Sequence, residues 1–125
     1  MNWRDQFARG LVALGAICLF VLALMHLRDY SKDMVRAASL SAPLLGAFRT
    51  IFVLVGWQWI VVGITALVAG FYETRLRRVL VLFCGFAVLV QAALTFSFMG
   101  AFLGTELMVV AALFIGSGGL LFRTI

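Results

Sequence analysis

Gln58 stands between Trp57 and Trp59 in an otherwise apolar stretch, and Gln91 lies in a second one with Thr95 a turn beyond. In hydrocarbon a primary amide must find partners for two donors and an acceptor, because no water is there to serve. Counted at about 1.5 Å rise per residue, both glutamines fall roughly 3–5 Å to the same side of the middle of their runs. This shared depth predicts that Gln58 and Gln91 bond each other between neighbouring helices. The alternative is that they form the floor of a ligand pocket. Tryptophan favours the membrane interface, so Trp57 and Trp59 near mid-run need acceptors, and at least one is expected to face the bundle or a cavity.

A second polar group gathers around His26, with Arg28 and Asp29 beside it, Arg49 ahead of the next apolar run, and Glu106. Glu106 is read as the least exposed acid, just inside the start of the last run. There it either complements a helix N-terminus or pairs with Arg49 or His26. The candidate ligand-binding residues are therefore Gln58, Trp57, Trp59, Gln91, Glu106, Arg49 and His26. One histidine cannot supply two axial haem ligands, and no Cys/His spacing resembles a metal site. Neither a deep carboxylate relay nor a Ser/His/Asp arrangement is present, so no cofactor, metal or catalytic set is expected.

The elements that must position these residues are membrane-spanning helices. The chain has 125 residues, 65% hydrophobic and 12% charged, with a mean hydropathy of +1.15. A soluble domain carries about 25% charged residues; here the apolar excess must be solvated by lipid. A spanning helix needs roughly 20 mostly apolar residues, and four stretches qualify: about 7–27, 44–72, 79–98 and 105–122. The expectation is an all-α, four-helix transmembrane bundle forming a single domain. Pro43 suits the first turn of the second helix, and Ser31 is placed to cap a short helix in the first connection. The glycine-rich segment 99–105 reverses the chain, with Thr105 as the cap of the fourth helix.

The net charge of +5 comes from basic residues at the ends of apolar runs, the pattern of membrane-flanking charge rather than of nucleic-acid binding. Residues 1–27 resemble an uncleaved signal anchor. Cys18 and Cys84 lie at different depths, which argues against a disulfide. With the N-terminus inside, Arg4, Arg9, Arg75, Arg77, Arg78 and Arg123 are cytoplasmic, against Arg28, Lys32, Arg36 and Arg49 outside. The basic excess predicts both termini on the cytoplasmic side.

Gly56, Gly63 and Gly70, with Ala66, form one small-residue stripe; Gly104, Ala111 and Gly118 form another. Such stripes let helix backbones approach closely in lipid. Two stretches are similar to the DoxX-like group of small four-helix membrane proteins of bacteria. One is Arg9-Gly10-Leu11-Val12-Ala13-Leu14-Gly15; the other runs from Gly56 through Gly63 and Gly70 to Thr74-Arg75. That resemblance implies the four-helix architecture, a bacterial inner membrane and a redox component. In that family an acid commonly stands in the second helix where this chain has Trp57-Gln58.

The residues themselves favour a structural or accessory membrane protein, as a homo-oligomer or beside a membrane-protein partner. The alternative is binding or transport of a small amphipathic molecule (a lipid, quinone or hydrophobic metabolite) in a polar pocket open to the outer side. Orientation is checked by fusions. A fluorescent protein that matures only in the cytoplasm should glow when fused after Thr124, and a periplasm-dependent phosphatase should be active when inserted at Ser39. The reverse pattern would contradict the charge reading.

Overall fold

The computed structural model describes residues 2–124 and is helical throughout its ordered elements. Helix α1 spans Trp3–Arg28, α2 Tyr30–Arg36, α3 Ala42–Phe71, α4 Arg77–Met99 and α5 Leu103–Leu121; a 3₁₀ turn, Ala37–Ser39, follows α2. Among the described residues, four helices (α1, α3, α4 and α5) are long and apolar enough to cross a membrane. They alternate in direction. One end of the bundle carries the termini and the α3–α4 turn; the other carries α2 and the α4–α5 turn.

Local signals explain most of the boundaries. The Asn2 side chain accepts from the Arg4 N–H at 3.3 Å, which starts α1 at Trp3 rather than near Phe7. Pro43 sits in the first turn of α3, where its missing N–H leaves no bond unmade. Gly100 ends α4 at φ 76°, a left-handed conformation that glycine adopts without Cβ strain. Two expected caps are corrected. Asp29, not Ser31, precedes α2, and no side chain bonds that terminus. Thr105 lies inside α5, after Phe102 in the capping position, and its Oγ1 donates to the Gly100 carbonyl at 3.2 Å. That bond ties the α4–α5 turn together instead of capping a helix.

Packing follows the small residues. Helix α1 lies against both α3 and α5, α4 lies against α5, and of the neighbouring pairs α3 and α4 pack least closely. The Gly56/Gly63/Gly70 stripe of α3 faces α1: Cβ atoms there would meet His26 and Leu27, Phe20, and Val12 in turn. On α5, a Cβ at Gly118 would lie 2.8 Å from the Ala8 carbonyl oxygen of α1. The tightest α4–α5 approach is at Gly85, where a Cβ would come 2.9 Å from the Gly116 nitrogen. Val12, Leu19, Val81, Val88, Met108 and Ile115 are fully buried around these seams. Hydrocarbon outside the bundle is as apolar as its core, so these close contacts hold the helices together.

Backbone atoms cannot move aside as a flexible side chain can. Gly85→Ala and Gly118→Ala should each destabilise the bundle by about 1–3 kcal/mol, the usual cost of overpacking. Gly10 and Gly46 have open space where a Cβ would go, and their alanine variants should be neutral or slightly stabilising. Thermal unfolding in nanodiscs checks both pairs; equal effects at all four sites would contradict the packing.

Candidate functional site

Three helical stripes converge at the end of the bundle that carries α2. On α1 and its continuation into α2 they are Leu22, Met25, His26, Asp29 and Asp33. On α3 they are Phe48, Ile51, Phe52, Val55 and Trp59, and on α4 Gln91, Thr95 and Met99. Spacings of three and four residues place each set on one helix face. With Phe102, Leu103, Gly104 and Met108 closing the fourth side, they line a cavity of about 700 Å³. That volume lies in the range of sites for small organic ligands. Leu22, Trp59, Gln91 and Met108 lie farthest along their helices from this end, so they form the floor. Phe48 and Trp59 are eleven residues apart, which gives the cavity a length of about 16 Å along α3.

The polar groups in this lining are few and specific. His26 Nε2 lies 2.7 Å from the Phe52 carbonyl oxygen. A carbonyl only accepts, so Nε2 donates to it. The imidazole stacks on the Phe52 ring at 3.7 Å and meets the Trp59 indole edge-on at 5.2 Å. These contacts fix the α1 and α3 walls against each other. Trp59 is only 5% exposed, yet its indole Nε1–H has no acceptor within the protein. A buried donor left without a partner costs about 1–3 kcal/mol. Gln91 and Thr95 are half-buried and neither side chain bonds another described residue, whereas Thr50 and Thr65 each donate to the carbonyl one turn back. Asp29 and Asp33 are the charged groups in the lining; Arg28 and Arg36 contact them from outside, at 3.3 and 4.0 Å.

Three of the seven sequence candidates, His26, Trp59 and Gln91, meet in this cavity. The other four do not line it. Trp57 is 62% exposed, and Gln58, Arg49 and Glu106 are exposed too. The expected Gln58–Gln91 hydrogen bond is absent among the described residues. The reason lies in the direction of the glycine stripe. It packs on α1 rather than α4, and Gln58, two residues from Gly56, is turned about 200° away from that seam. Glu106 likewise pairs with neither Arg49 nor His26; it projects outward from the first turn of α5. The least exposed acid with an ion-pair partner is Asp5, at the opposite end of the bundle.

There, the sequence reading missed a buried charge. Arg77, expected among loop cations, is 3% exposed and pairs with Asp5 at 3.5 Å while lying 4.1 Å over the Phe122 ring. Arg9 bonds Glu73 at 3.2 Å beside it. The termini end is thus closed by ion pairs that join α1 to α4 and to the α3–α4 turn. No residue spacing announces the Asp5–Arg77 pair, because it depends on which helix ends share a corner. By contrast, the Phe48/Ile51/Phe52/Val55/Trp59 stripe is a helical pattern that a search for faces would have found.

No family model matches the chain, and no curated protein or solved structure matches it either. Among the described residues, no group of three or more His, Cys, Asp or Glu side chains could hold a metal ion.

Proposed function

We propose that this multi-pass membrane protein binds a small amphipathic molecule in the cavity between α3 and α4. The observation that carries the reading is the lining. The half-buried Gln91 and Thr95 side chains, neither bonded to another described residue, line a mostly apolar volume suited to an organic ligand. A ligand's apolar part would fill the space among Val55, Phe52, Met99 and Met108, and Asp29 and Asp33 would mark the polar mouth. The distribution of arginine and lysine supports cytoplasmic termini in a cytoplasmic membrane. In that orientation the cavity opens to the outer side.

Gln58 favours a second reading that is compatible with the first. Its amide is exposed near the midpoint of the 30-residue α3, with no bond to any described residue. A second copy of the chain would offer it an identical, self-complementary amide, and such bonds join helices in membranes. The homo-oligomer would then be the accessory-protein form foreseen from the small-residue stripes.

Mass spectrometry of the intact protein released from nanodiscs tests both. The wild type should carry a small molecule of constant mass, and Val55→Trp, which fills the cavity, should release the protein without it. In the same spectra the wild type should appear as a dimer and Gln58→Leu chiefly as a monomer. A bare wild-type protein over a range of membrane sources would contradict the binding reading. Dimers unaffected by Gln58→Leu would contradict the amide contact.

A further inference from the structure

Resting on that binding reading, we infer that the ligand is a cationic amphiphile, its ammonium head against Asp29 and Asp33 at the mouth and its apolar tail in the cavity below. Two carboxylates line the cavity, and no lysine or arginine does. The Asp33 N–H donates to the Asp29 carbonyl at 3.1 Å, so the two acids stand one helical turn apart. Side chains at that spacing are neighbours, and one cation can lie between them. Arg28 and Arg36 approach Oδ1 of these acids from outside, with 71% and 83% of their side chains exposed. Exposed pairs of this kind are weak and screened. Oδ2 of each acid has no partner among the described residues. Lys32 is exposed and does not line the cavity either.

The aromatic side of the mouth suits the same head. Phe48 and Phe52, one turn apart on α3 with ring centres 6.1 Å apart, both line the cavity. Tyr30, next to Asp29, meets the Phe52 ring edge-on at 5.5 Å, which brings that ring to the start of α2. Ring faces attract a cation within about 6 Å. His26, the titratable group one turn before Asp29, donates to the Phe52 carbonyl and stacks on the Phe52 ring, so it serves the wall. Below the mouth, Val55, Met99 and Met108 offer an apolar lining, and methionine adapts to the shape of a tail. An anionic head would face two like charges with no counter-cation in the lining. An uncharged head would fit the space and gain nothing from the carboxylates.

Three probes of like chain length separate the possibilities: dodecyltrimethylammonium, the uncharged dodecyldimethylamine oxide, and dodecanoate. Each is titrated, below its micellar concentration and at mildly alkaline pH, into the protein in nanodiscs of zwitterionic lipid. Binding is read by calorimetry with empty nanodiscs subtracted. Dodecyltrimethylammonium should bind saturably and about 10-fold more tightly than the amine oxide, the worth of two exposed ion pairs and a ring contact. That preference should shrink as salt rises. Asp29→Asn combined with Asp33→Asn should bring the cation within about 2-fold of the amine oxide, whose own affinity should stay within about 2-fold of wild type. Each single variant, which keeps the test available if the double one fails to fold, should lower the preference by about 3-fold. If the amine oxide or dodecanoate binds as tightly as the cation, or the preference survives both substitutions, the cationic assignment is overturned and the binding reading stands. If no probe binds saturably, or Val55→Trp binds all three like the wild type, the binding reading itself falls.

Discussion

Close backbone approach between α1, α5 and α4 is the constraint on which the rest of this bundle depends. A helix in lipid gains nothing by trading a hydrocarbon neighbour for a leucine, so association relies on contacts that lipid cannot reproduce. Gly118 against the Ala8 carbonyl and Gly85 against Gly116 are such contacts. They fix α5 between α1 and α4. Helix α1 then has one further face, and the glycines of α3 occupy it. No comparable small-residue seam joins α3 to α4, and their faces can separate.

The two ends of the bundle resolve that separation differently. At the termini end, Arg77 is held by Asp5 and Phe122, and Arg9 by Glu73, so charge pairs draw the helix ends together. A buried pair of this kind gives up hydration on both partners and is weak evidence for net stability. It does fix which ends meet. At the other end the walls are aromatic and aliphatic, with His26 bonded across to α3 but no equivalent bond from α3 to α4. The cavity occupies the side where the packing is least determined. Gln91 and Thr95 stay available because no described residue bonds their side chains.

The number and order of the spanning helices were legible in the sequence because length and hydropathy dictate them. The buried stripes at Gly56/Gly63/Gly70 and Gly104/Ala111/Gly118 were legible as well, since close approach leaves a heptad trace. Which partner each stripe meets was not. The stripe on α3 could serve α1 or α4 on spacing alone, and that single choice decided the fate of Gln58. Depth along a helix is readable from residue count, but azimuth relative to a neighbour depends on every other seam. Gln91 was read as bonding Gln58 or as sharing with it a ligand-pocket floor, and Trp57 or Trp59 as facing the bundle or a cavity; of these, Gln91 and Trp59 line the cavity and Gln58 and Trp57 do not. Asp29 and Asp33 went unassigned to the cavity because α2 carries them over its mouth, a consequence of the first connection's helical fold.

Water and ligand should reach the α3–α4 gap from the end that carries α2. Thiol labelling tests it most directly, using Thr95→Cys in a background with Cys18→Ala and Cys84→Ala. A membrane-impermeant maleimide added outside intact cells should label Thr95→Cys, and adding Val55→Trp should slow that labelling markedly. Ala92→Cys, buried against the core at 2% exposure, should remain unlabelled. Thr95→Cys as inert as Ala92→Cys, or labelled equally with and without Val55→Trp, would contradict an accessible cavity between α3 and α4.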